Sequence, residues 1–243
     1  MFKFRERPKH GSEYFNCDRR IFPPAGKYGM PAIAPCEPLD LDGCEAIGFN
    51  CVLGCDRPEN KVVHFHIDDY QFTRVWDDAD KYIPILRKFK AVLAPDFSTY
   101  EDFPIAVQQY NSYRKAWCAA YWQEHGITVL PTLDWGTNPE HDWFFEGLPR
   151  DAVVSVSTIG GFSSKERRDV WFEGFDRALK LLRPRQVLLV GTMWPGISDM
   201  YDGEIIAMES DNIGRLKRLQ ERKKQEEKEK ANEVQRVPSD EGL

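Results

Sequence analysis

Acidic residues recur where short apolar runs stop. His64-Phe65-His66-Ile67 ends in Asp68 and Asp69, Val92-Leu93-Ala94-Pro95 ends in Asp96, and Val129-Leu130-Pro131-Thr132-Leu133 ends in Asp134. In α/β proteins, ligands bind at the carboxyl ends of parallel strands. Carboxylates placed there suit general acid–base or nucleophilic work. Two of them flanking a sugar ring can hydrolyse or exchange a glycosidic bond. Asp68, Asp69, Asp96 and Asp134 are therefore the candidate catalytic residues.

Each has a structural alternative. Asp68 or Asp69 can cap a following turn, and Pro95, Ser98 and Thr99 make Asp96 a natural turn residue. Asp134 is followed by Trp135 and Gly136, which put a flat apolar wall beside a charge. Such a wall can stack a ring and raise a carboxyl pKa by desolvation. Ser157-Thr158-Ile159-Gly160-Gly161 follows a further apolar run, and its small residues could bring backbone N–H groups to an anion at a helix start. Ser157, Thr158, Gly160 and Gly161 are thus substrate-binding candidates, with Trp135 and Trp194 as walls and Arg114 as a cation within reach. A tight turn would also account for the glycines. The stretch is neither a P-loop nor a dinucleotide fingerprint, so no cofactor is implied.

His64 and His66, two apart on a strand, share a face, as zinc-binding histidines do in metal hydrolase barrels. Later strands offer no obvious further histidine ligands, so neutral core histidines are the simpler expectation. Cys36, Cys44, Cys51 and Cys55 lack the tight pairs of zinc knuckles.

These residues need strands to position them. Runs at 46–52, 62–67, 91–94, 127–131, 152–157 and 186–190 are short and apolar or β-branched, as strands are. Residues 103–125 and 164–183 carry helical stripes of Tyr110, Tyr113, Trp117 and Tyr121, and of Trp171, Phe175, Ala178 and Leu182. Asp102 is a plausible N-cap of the first helix and Gly126 its C′ residue. Ser163 or Ser164 would cap the second, and Pro184 would stop it. A shorter helix is expected over 80–89. Strands alternating with helices mean a parallel sheet. The expected fold is α/β, a reduced or irregular (β/α) barrel-like domain over 44–211, or else an open doubly wound parallel sheet. Residues 1–43, broken by prolines, read as an extended arm, and 212–243 as a charged helical or disordered tail.

Composition sets the bounds. The 243 residues suffice for one sizeable core, and 30% charged with 13% aromatic residues suits a packed globule. Residues 215–243 hold nine Lys/Arg against seven Asp/Glu, and the remainder 24 against 32, so a body of net −8 carries a tail of net +2. An acidic body argues against broad phosphate-backbone binding. Nucleic acid or a host protein could engage residues 215–236, and the arm aromatics Tyr14, Phe15, Phe22 and Tyr28 could anchor a partner. No apolar run approaches the roughly 20 residues that span a bilayer, and no membrane partner is expected. The charged start lacks a signal peptide's apolar core, so a cytoplasmic location with free thiols is expected.

The segments VHFHIDDYQFTRVW (63–76), KYIPILRKFKAVLAPDFSTYEDFP (81–104), YNSYRKAW (110–117), GITVLPTLDWG (126–136) and VVSVSTIGGF (153–162) together resemble the domain-of-unknown-function family numbered 4417, found in phages, mobile elements and bacterial genomes. The resemblance covers roughly residues 45–195. It implies a single domain of phage or mobile-element origin, and brings no activity, cofactor or catalytic residue with it. The residues themselves point to a carboxylate-based hydrolase or transglycosylase acting on a nucleoside, nucleotide or other ring-containing substrate. A non-enzymatic module binding a host protein or nucleic acid is the alternative, and a metal-dependent hydrolase through His64 and His66 a third.

Overall fold

The computed structural model describes residues 11–100, 102–136, 141–159 and 164–210. The charged helical or disordered tail expected over 212–243, and the partner segment 215–236 within it, lie outside the described residues.

A helical turn, α1 (Gly11–Tyr14), and a two-strand hairpin, β1 (Pro24–Ala25) and β2 (Met30–Pro31), make up the arm. It lies fastened over the body. Asn16 Nδ2 donates to the Trp76 carbonyl at 2.9 Å and Trp117 Nε1 to the Arg20 carbonyl at 3.0 Å, while Arg19 and Arg20 pair with Asp80 and Glu124. Phe22 packs edge-on against Trp117, whereas Tyr14, Phe15 and Tyr28 are exposed.

Among the described residues seven parallel strands follow: β3 (Glu45–Gly48), β4 (Lys61–His64), β5 (Ala91–Leu93), β6 (Val129–Leu130), β7 (Val153–Ser157), β8 (Gln186–Val190) and β9 (Glu204–Met208). Ladders join β3-β4-β5-β6 and β7-β8-β9. A parallel bridge between Thr132 and Ser155 links the two groups, with Leu133 N–H donating to the Ser155 carbonyl at 2.7 Å and Ser155 N–H to the Pro131 carbonyl at 2.8 Å. All seven strands therefore point the same way. Their order follows the chain without the reversal of a doubly wound sheet, and no described ladder returns β9 to β3.

Both faces are covered, as parallel sheets require. Ala46, Val62, Ala91, Leu93, Leu130, Val153, Leu188, Val190 and Met208 form one apolar cluster on one face. On the other, Val63, Val92 and Val129 pack with Trp117 and Trp122 of α4 (Ile105–Glu124, following the single turns α2, Arg74–Asp77, and α3, Ile83–Leu86). Val154, Val156, Val187 and Leu189 pack with Trp171, Phe175 and Leu182 of α5 (Lys165–Leu182).

Several elements differ from expectation for local reasons. The strand expected over 62–67 stops at His64, because Phe65–Ile67 turns and the His66 N–H donates to the His64 ring rather than to a ladder. The run 46–52 becomes a 3₁₀ turn after Gly48, and the helix expected over 80–89 is one turn holding Pro84. α4 starts after Pro104 instead of at Asp102 and ends with Gly126 at φ 74°, the left-handed C′ position. Ser164 does cap α5, accepting from Arg167 N–H at 3.3 Å. β9 was not foreseen.

Candidate functional site

The carboxyl ends of β4, β5 and β6 meet α4 at a cluster of charged and polar side chains. His66 Nδ1 lies 2.8 Å from Asp96 Oδ2, with the imidazole 3% and the carboxylate 31% exposed. Burial on its own would raise the Asp96 carboxyl, but the facing, hydrogen-bonded His66 and the nearby Lys115 outweigh it and hold the group below its ordinary value. A carboxylate on Nδ1 fixes the imidazole with its proton there. His66 Nε2 is buried and has no hydrogen-bond partner among the described residues.

Asp134 is the second carboxylate. It accepts from Thr99 Oγ1 at 2.8 Å and from Gly136 N–H at 3.0 Å, and Lys115 Nζ stands 3.5 Å from its Oδ2. Lys115 is buried although it carries a charge in mid-helix. It belongs to a polar stripe, Gln108, Asn111, Ser112 and Lys115, all buried at the three- and four-residue spacing of one helix face. Tyr110, Tyr113, Trp117 and Tyr121 lie on the opposite face, so α4 carries different chemistry on its two sides. The neglected signal in the sequence was that stripe inside an otherwise aromatic helix.

The loop carrying Asp96 is held at three points. Asp69 accepts from both Ser98 N–H and Ser98 Oγ, the latter at 2.8 Å. Asn111 Nδ2 donates to the Ser98 carbonyl. Arg114 lays its guanidinium 3.9 Å over the Phe97 ring and donates to Asn111 Oδ1 at 2.6 Å, and burial lowers its pKa. Asp69 and Arg114 thus position the loop. Asp68 is exposed, reaches only the Gln71 amide at 3.4 Å, and stands at the head of a 3₁₀ turn.

The remaining candidates are placed elsewhere. Trp135 is buried against Trp171, with Gly174 of α5 pressed onto its ring, and Trp194 packs on Trp171 and Phe172, so both indoles belong to the core beneath α5. Ser157 and Thr158 donate to the carbonyls of Val190 and Thr192, knitting β7 to the β8 loop. Gly191, at φ 123°, leaves no room for a Cβ beside Thr158 Oγ1. Gly160 and Gly161 lie outside the described residues.

His64 is buried, its ring stacked on His66 with centroids 5.7 Å apart. Burial first, then the neighbouring His66, pushes its pKa down to about 3. Among the described residues, no three His, Cys, Asp or Glu side chains converge as a metal centre would require. The described cysteines are unbridged; Cys118 is a buried core thiol whose pKa burial raises. No helix among the described residues is long and apolar enough to cross a membrane.

The model of the family called Domain of unknown function (DUF4417) matches residues 22–209. The chain belongs to this family. The match begins at Phe22, so the family includes residues 22–43 of the arm that the resemblance over 45–195 left out. The chain is also similar to the Gene 1 protein of Mycobacterium phage D29, 40% identical over 183 residues that cover 72% of this chain and 64% of that relative. With the Gene 1 protein of Mycobacterium phage L5 it is 35% identical over 132 residues, covering 54% of this chain and 58% of the other. The chain therefore spans less than two thirds of the length of these relatives. It is a phage-associated domain of unknown function. No solved structure matches it.

Proposed function

We propose that the chain is an enzyme domain whose acid–base centre is the His66–Asp96 pair, with Asp134 and Lys115 as its second arm. The carrying observation is His66 Nδ1 at 2.8 Å from Asp96 with a buried, unpartnered Nε2. Asp96 keeps the Nδ1 proton in place, so Nε2 presents its lone pair to a water or hydroxyl, as a general base does. The attacking oxygen gives its proton to Nε2 and bonds to the electrophilic carbon, whose bond to the leaving group breaks. Lys115, held by Asp134, donates a proton to the departing atom. Hydrolysis or exchange at a glycosidic carbon fits this arrangement, with a nucleoside or similar ring-bearing substrate suggested by the phage relatives. Asp68 and Asp69 then stand outside the chemistry, and Asp96 acts through His66.

A barrel-like roll of the sheet is part of the same reading. One strand face forms a single apolar cluster that includes residues of both the first and the last parallel strand, Ala46 and Met208. An interior filled by alternate side chains is how small (β/α) barrels are packed.

The test is turnover of a panel of nucleosides and aryl glycosides, followed by chromatography of the released base or phenol. Wild-type protein should release product, and His66→Phe should lose at least 100-fold, a typical general-base contribution. An unchanged rate in His66→Phe would remove the proposal.

A further inference from the structure

Two neighbouring imidazoles at the end of β4 differ in which nitrogen carries the proton, and the hydrogen bonds decide this. The His66 backbone N–H donates to His64 Nδ1 at 3.3 Å, so that nitrogen offers its lone pair and the His64 proton sits on Nε2. Asp96 accepts from His66 Nδ1 at 2.8 Å, so neutral His66 has its lone pair on Nε2. The rings are stacked within 17° of parallel, and both Nε2 atoms are buried without a partner among the described residues. A buried donor left unpaired costs about 1–3 kcal/mol, and native proteins keep such groups where they serve a purpose.

We propose that His64 and His66 together read an uncharged ligand group carrying a hydrogen-bond acceptor and a donor on adjacent atoms. His64 Nε2–H would donate to the acceptor, and His66 Nε2 would accept from the donor. The lactam edge of a nucleobase and the cis-diol of a sugar share this chemistry. Charge supports an uncharged group. An anion would face Asp96 and Asp134, whose nearby Lys115 is already paired with Asp134, and a cation would meet the His64 N–H. The depressed pKa of His64 keeps it a neutral donor over the working range. A metal on His64 Nε2 would need that nitrogen's lone pair, so the proton would have to move to Nδ1, which faces the His66 N–H. The inference rests on the centre proposed above: the donor that His66 Nε2 accepts from is the group whose proton it takes when the chemistry begins.

The experiment combines imidazole ¹⁵N NMR of the full chain with titrations of uracil, cis-1,2-cyclopentanediol and zinc ion alone. Expected are a bare Nδ1 and protonated Nε2 in His64 and the reverse in His66. Uracil or the diol should bind, and which one binds identifies the lactam or the diol as the source. His64→Phe should weaken that probe at least tenfold, while His64→Gln, which keeps an N–H near the same place, should retain it. Binding of neither probe, an Nδ1-protonated His64, or zinc displacing the His64 Nε2 proton would overturn the proposal. If His64→Phe fails to fold, the tautomers and His64→Gln decide the matter. Turnover enters none of these readouts, so a protein that binds a probe but catalyses nothing would remove the acid–base centre and leave the two-imidazole reader standing.

Discussion

Removing either partner of the Lys115–Asp134 pair should cost far more than breaking a surface salt bridge. The ammonium and carboxylate are 3.5 Å apart, with side chains 6% and 18% exposed. At an effective dielectric constant of 20, Coulomb attraction at that distance is about 5 kcal/mol before desolvation is subtracted. Breaking a buried pair typically costs about 3–5 kcal/mol. Here Asp134 keeps its bonds from Thr99 and Gly136 when Lys115 is lost, and Lys115 keeps the field of Asp96 when Asp134 is lost. Each single loss should therefore be about 2–3 kcal/mol. Lys115→Met, Asp134→Asn and the double variant form a cycle, read by urea unfolding at pH 7.5. A coupling of about 1.5–2 kcal/mol is expected. A coupling under about 0.5 kcal/mol, the range of exposed pairs, would refute the view that α4 holds a buried cation against the strand ends.

Three further outcomes follow from the same geometry. His64, whose folded pKa of about 3 lies below the ordinary 6.5, binds a proton more readily in the unfolded chain, so acidification from pH 6.5 towards 3 should destabilise the protein with a slope approaching about 1.4 kcal/mol per unit; His64→Gln, followed by urea midpoints against pH, should flatten it. Asp96 has a depressed pKa, so its contribution is present above the ordinary 3.8 and is lost as pH falls through the lower folded value; Asp96→Asn should be less stable at neutral pH and lose less below pH 4 in the same assay. Gly174→Ala places a Cβ 2.3 Å from the Trp135 ring, and overpacking of about 1–3 kcal/mol should exceed the helix-propensity gain of about 1 kcal/mol, lowering the thermal midpoint.

The parallel α/β class and most strand positions were legible because these strands are buried on both faces and read as short apolar runs. β9 escaped because Glu204, Ile205, Ile206 and Ala207 are only partly covered or exposed, which leaves no clean period. The carboxylates do follow the ends of β4, β5 and β6, as their sequence positions indicate. Their roles were not legible, since a one-residue turn after His64 decides that Asp69 braces Ser98 while Asp68 faces solvent. The indoles beside Asp134 and Gly191 looked like walls, yet an unoccupied Cβ position at Gly174, 39 residues from Trp135, is what draws that ring beneath α5. Lys115 was readable in principle from its spacing with Gln108 and Asn111.

The most direct test of the centre is a crystal structure of the protein with whichever nucleoside or glycoside of the panel raises its thermal midpoint most. The ligand should place a polar atom within about 2.6–3.2 Å of His66 Nε2, with Lys115 and Asp134 facing its leaving group. A ligand seated elsewhere, with His66 Nε2 still covered by protein, would contradict the acid–base centre at the ends of β4, β5 and β6.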